Sequence, residues 1–135
     1  YLPRGSDAVE QVKARELQEL ARRENSYRGD RPALQMRGRT GILVDDGLAT
    51  GATMEAAVRA LRSLDAQRIV VAVPVASIEA RERIAAVADE VVCLQVPPFF
   101  SAVGQWYERF DQTEDDEVRE LLARSRTVFS AGSEP

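Results

Sequence analysis

The fold is decided by the stretch Gly41-Ile42-Leu43-Val44-Asp45-Asp46-Gly47-Leu48-Ala49-Thr50-Gly51-Ala52-Thr53-Met54. Residues 41–45 read as a buried strand, because the apolar positions run on without alternation. Two carboxylates then stand at its carboxyl end, where open α/β sheets bind ligands. Adjacent carboxylates repel, and an isolated buried charge is costly. They make sense if a ligand brings hydrogen-bond donors, and the vicinal hydroxyls of a ribose are such donors. Gly47 lets the backbone turn, and Thr50-Gly51-Ala52-Thr53 leads into a helix. Small side chains leave amides open at the positive end of that helix, and the hydroxyls of Thr50 and Thr53 add two donors. Together these make a phosphate cradle. Acids for sugar hydroxyls, followed about one turn later by amides for a phosphate, describe a 5-phosphoribose. The simpler reading is an acidic strand-to-helix loop that only caps the helix.

Working outward, residues 54–64 read as a helix, with Met54, Ala57, Val58, Leu61 and Leu64 on one face. Residues 69–73 are a continuous β-branched and apolar run, closed in this reading by Pro74, which cannot donate to a ladder. A second helix follows over 78–88 with Ser77 as its cap, and a third strand over 91–94. Apolar strands separated by helices indicate an α/β fold, a parallel sheet with helices on both faces. Upstream, residues 7–24 carry a helical stripe of Val9, Val12, Leu17, Leu20 and Ala21, with Ser6 or Asp7 as N-cap. Gly29, Pro32 and Gly38 break the following loop. Downstream, Pro97-Pro98-Phe99-Phe100 forms a rigid aromatic loop and is followed by Trp106, Tyr107 and Phe110. Thr113 then caps a last helix whose acidic start and basic end suit its dipole. The organisation expected is a helix and loop over 1–40, a βαβαβ core over 41–95, the aromatic loop and final helix over 96–126, and a tail over 127–135.

Composition removes several classes. A chain of 135 residues is one small domain by length. Its net charge of −4, with both signs interleaved, argues against nucleic acid as a partner. No run approaches the ~18 apolar residues of a membrane span, and no signal peptide opens the chain, so a cytoplasmic location is the default. The single cysteine, Cys93, lies in an apolar run and reads as a core residue, with no histidine to activate it. The lack of histidine also removes Ser-His-Asp chemistry, and no protein-held metal site is expected. A Rossmann site fails because no G-x-G-x-x-G follows a strand. An aspartyl-phosphate protein fails because Gly47 replaces a second carboxylate and the only lysine, Lys13, lies upstream.

The strand, the Asp45-Asp46 pair and Ala49-Thr50-Gly51-Ala52-Thr53 resemble the phosphoribosyl diphosphate motif of type I phosphoribosyltransferases, in the Leu-Ala-Thr-Gly form of the adenine-type enzymes. Residues 37–122, with the aromatic segment and the Asp-Asp-Glu-Val run, are similar to bacterial phosphoribosyltransferase-domain proteins. The resemblance implies transfer of a 5-phosphoribosyl group from phosphoribosyl diphosphate to a nucleobase or related nitrogen acceptor. It implies Asp45 and Asp46 as catalytic residues on the ribose hydroxyls, with Gly47, Ala49, Thr50, Gly51, Ala52 and Thr53 completing the substrate site. Magnesium is implied through the substrate's diphosphate, and a homodimer is left open. Phe99, Phe100 and Trp106 are candidates to stack on the acceptor base. The competing reading, which we favour, has Trp106, Tyr107 and Phe110 packing as one cluster.

Two departures stand out. Ala49 occupies a position where several purine enzymes carry a carboxylate base. The family also has two strands and a pyrophosphate-binding loop ahead of the motif, where this sequence has a charged helix. Leu2-Pro3-Arg4-Gly5 resembles that loop only superficially. A partial domain lacking the first strands is therefore expected, and the alternative function is a non-catalytic phosphoribosyl diphosphate or nucleotide-binding regulatory module.

Overall fold

The computed structural model describes residues 5–29 and 31–131. The elements are α1 (Gly5–Arg28), β1 (Thr40–Val44), α2 (Ala52–Ser63), β2 (Arg68–Val75), α3 (Ile78–Ala85), β3 (Glu90–Gln95), a 3-10 turn (Val103–Trp106) and α4 (Asp115–Ala131). They fall into two compact units. One is Leu34–Phe110; the other joins Tyr1–Ala33 with Asp111–Pro135.

In the first unit the three strands form a parallel sheet in the order β1-β2-β3. The register pairs Val44 with Ala72 and Ala72 with Val92. Central β2 buries Ile69, Val71 and Val73, which meet Met54, Val58 and Leu61 from α2 and Ala80 and Ile84 from α3 in one core. Right-handed crossovers that step in the same direction along a sheet put both helices on the same side. The helices of this unit thus cover one face rather than both. The other face carries Ile42, Val44, Val92 and Leu94, all exposed. Its apolar character is what made the strands read as buried on both sides.

Several boundaries shift for local reasons. β2 continues through Pro74 to Val75. β3 pairs with Val73 and Val75 on either side of it and the register skips position 74, so the proline leaves out one rung of that ladder without ending the strand. α2 opens at Ala52, ahead of Met54, because Gly51 turns the chain in with φ 75°. Ser77 caps α3 as expected, accepting from the Ala80 amide at 3.1 Å. α3 stops at Ala85, and the Val87 and Ala88 amides close a turn on the Ile84 carbonyl. Asp89 then fixes the entry to β3. Its carboxylate accepts from the Ile69 amide at 2.7 Å and pairs with Arg62.

The second unit is a helix pair. The Asp115 carboxylate at the start of α4 accepts from the Tyr27 hydroxyl at 2.8 Å and from Arg22 at 3.0 Å, and Arg119 donates to the Ser26 hydroxyl. α1 begins at Gly5, before the expected Ser6 or Asp7 cap, and runs on to Arg28. Leu17 and Leu20 of its supposed apolar stripe are exposed. The side chains of Val9 and Val12 lie outside the described residues, as does Leu2-Pro3-Arg4. α4 starts at Asp115 rather than after Thr113, and residues 127–131 continue it instead of forming a tail. Among the described residues no helix is long and apolar enough to cross a membrane.

Candidate functional site

The site grows from the loop between β1 and α2. Asp45 and Asp46 follow the last residue of β1, and the Asp46 amide donates to the Asp45 carboxylate at 2.9 Å. Desolvation by the surrounding chain, reinforced by the charge of Asp45, pushes the Asp46 carboxyl above the ordinary carboxylate range. Gly47 is required by space: a Cβ there would come within 2.8 Å of Val103 and 3.0 Å of Val75. Leu48 is buried, and its amide and carbonyl bond to the Val75 carbonyl and the Ser77 amide at 3.0 and 2.9 Å.

The next residues are held from behind by the turn into α3. The Ser77 hydroxyl donates to the Ala49 carbonyl at 2.7 Å, and Arg83 donates to the Thr50 carbonyl at 3.0 Å. The Thr50 hydroxyl oxygen accepts from the Ala52 amide at 3.3 Å. Gly51, left-handed and packed on Ala80, sits at the N-cap of α2, where it has no side chain to offer. The opening turn of α2 is consequently not sealed by its own cap residue. That is the local condition for binding an anion at a helix N-terminus.

These residues line one cavity of about 210 Å³, formed by Asp45, the loop from Gly47 to Met54, and Val103. The volume is below the ~300 Å³ floor of whole-ligand pockets, which suits one part of a larger substrate. Asp45, Gly47, Ala49, Thr50, Gly51, Ala52 and Thr53 are brought together there. Asp46 stands beside the cavity without lining it. Its backbone carbonyl accepts from the Tyr107 hydroxyl at 2.5 Å.

The aromatic segment forms two pairs rather than one cluster. Phe100 stacks on Trp106 with centroids 6.2 Å apart, and Tyr107 tilts against Phe110 at 5.1 Å. Phe99 is 85% exposed. A second cavity of about 190 Å³ lies between Pro74, Val75, Leu94, Gln95, Trp106 and Tyr107. Of the three stacking candidates only Trp106 lines it. Cys93 is half-buried against the core, as its apolar run suggested. Val103, Tyr107, Ser77 and Arg83 were not singled out as site residues from sequence. Ser77 alone left a signal, as a helix cap directly after a strand.

A phosphoribosyl transferase domain model matches residues 4–116. The chain belongs to that family. Two Mycobacterium tuberculosis strains, CDC 1551 / Oshkosh and ATCC 25618 / H37Rv, have proteins named "Putative phosphoribosyl transferase" that are 44% identical to it over 123 residues. The match takes in 91% of this chain and 28% of each of theirs, so the chain spans little more than a quarter of these relatives. The crystal structure of TT1426 from Thermus thermophilus is 45% identical, with a TM-score of 0.74, over 90% of this chain and 58% of that one. For a phosphoribosyl transferase domain the arrangement is physically coherent. Its polar loop stands beyond the carboxyl ends of a parallel sheet, and the residues behind the loop hold its backbone rather than its open side.

Proposed function

We propose that this chain supplies the ribose-5-phosphate site of a phosphoribosyltransferase whose donor is phosphoribosyl diphosphate. One observation carries the reading: a single cavity joins the Asp45 carboxylate at the end of β1 to the uncapped start of α2. Asp45 and Asp46 accept hydrogen bonds from the ribose hydroxyls, directly or through Mg²⁺, and residues 50–53 receive the 5′-phosphate. Magnesium, a hard cation that prefers oxygen ligands, enters with the diphosphate of the substrate. Transfer passes through a cation-like ribosyl centre, so placing the sugar and its charges outweighs proton transfer. Ala49 brings no base to the reaction. Trp106, with Phe100 stacked on it, offers a ring face to a nucleobase or similar nitrogen acceptor beside the second cavity.

The test is calorimetric titration with ribose 5-phosphate. Charge-assisted bonds are worth about 1.5–3 kcal/mol each, so Asp46→Asn should bind at least about tenfold more weakly than the parent chain. Equal affinities would sink the assignment.

A further inference from the structure

We infer that Tyr107 is a positioning residue that fixes the acidic turn for the sugar end of the ligand, an inference that rests on the ribose-5-phosphate reading above. The motif loop has two separate supports. Its phosphate end, Ala49 to Gly51, is held by α3 and the turn before it, through Ser77, Arg83 and Ala80. Its acidic end is held by the segment after β3. The Tyr107 hydroxyl donates to the Asp46 carbonyl at 2.5 Å across 61 residues of sequence, and Val103 presses on Gly47.

The tyrosine is itself braced. Its ring leans on Phe110, which in turn fills the space over Gly104, where a Cβ would meet it at 2.8 Å. Bonding to the main chain of Asp46, rather than to a carboxylate, means that Tyr107 takes up no carboxylate oxygen that a ligand would use. A hydroxyl aimed at the peptide that follows the second acid, between Asp46 and Gly47, therefore steadies the acidic turn without competing for its carboxylates.

Because the supports are separate, removing this one should be felt at the sugar and not at the phosphate. The 135-residue chain and Tyr107→Phe are titrated with ribose 5-phosphate and with inorganic phosphate, followed by NMR shifts of the amides in residues 50–54. Phenylalanine keeps the ring on Phe110, so the fold is retained. Ribose 5-phosphate affinity is expected to fall about three- to tenfold, with inorganic phosphate affinity unchanged. Unchanged ribose 5-phosphate affinity overturns the inference. An equal loss for both ligands also overturns it, since that is general loosening of the loop. If the parent chain shows no preference for ribose 5-phosphate over inorganic phosphate, the ribose-5-phosphate reading itself fails and the inference falls with it.

Discussion

Asp46 illustrates a group whose local environment works against the apo fold. Desolvation and the neighbouring charge of Asp45 raise its carboxyl pKa in the folded chain. A raised carboxyl pKa means that the folded state binds the proton more tightly than the unfolded state. As pH rises from the unfolded carboxylate value through the raised folded one, the fold loses stability from this group. Asp46→Asn should thus melt no lower than the parent chain at pH 7, with any advantage shrinking below about pH 4, even as it weakens ribose 5-phosphate. Thermal scans across pH would check this, and a clear drop at pH 7 would make Asp46 a structural residue. Thr50 tests the other end of the ligand. Its hydroxyl is exposed and makes one long bond, to the Ala52 amide, while its carbonyl bond to Arg83 survives substitution. Thr50→Val should change stability by less than about 1 kcal/mol yet weaken phosphate binding several-fold. A large melting loss with normal affinity would reverse the assignment.

At the scale of elements, Ser77 joins β2, α3 and the motif loop. It is 6% exposed, caps α3 through the Ala80 amide and donates to the Ala49 carbonyl. Ser77→Ala removes a cap worth about 1 kcal/mol and leaves a carbonyl without its donor, so a loss of about 2 kcal/mol is expected in urea denaturation. A change under about 0.5 kcal/mol would show that water replaces both bonds. The existence and type of every strand and α-helix were legible, because periodicity and punctuation are local properties. Their ends were less so. β2 carries past Pro74 because β3 pairs with Val73 and Val75 on either side of it, and the late start of α4 leaves the Asp115 carboxylate bonded to Tyr27 and Arg22. Neither fact is written in the neighbouring residues.

At the scale of the molecule, the three strand ends differ in what they offer an anion. β1 leads to the start of α2, where Gly51 offers no side-chain cap and only a long bond from the Ala52 amide to the Thr50 hydroxyl is made. β2 leads to α3, where the Ser77 side chain already occupies the Ala80 amide. β3 leads to Pro97-Pro98, which have no N–H to give. Among the described residues of the sheet unit, therefore, one strand end offers an anion cradle, and our reading commits it to the 5′-phosphate. Phosphoribosyl transfer also needs donors aimed at the departing diphosphate, and losing one such preorganised element typically costs about 10²–10³ in rate. These 135 residues alone are expected to bind the donor but to release pyrophosphate at less than about a hundredth of a complete enzyme's rate. An assay with Mg²⁺ and a panel of purine and pyrimidine bases decides this, and full turnover would refute it.

The sequence by itself determined the parallel α/β order, the loop from Asp45 to Thr53 and the Ser77 cap. Each of these depends on residues within a turn or two of one another: a β-branched run, small residues leading into a helix, a hydroxyl before a helix. Only the tertiary structure decided that both crossover helices share one face of the sheet, that α1 pairs with α4 through Asp115, and that Tyr107 and Val103 settle on the acidic turn. Those outcomes depend on contacts between residues far apart in the chain, such as the 61 that separate Tyr107 from Asp46. Hydrophobic period and capping chemistry carry no record of which distant partner closes such a contact, because many partners of similar size and polarity would satisfy the same local pattern.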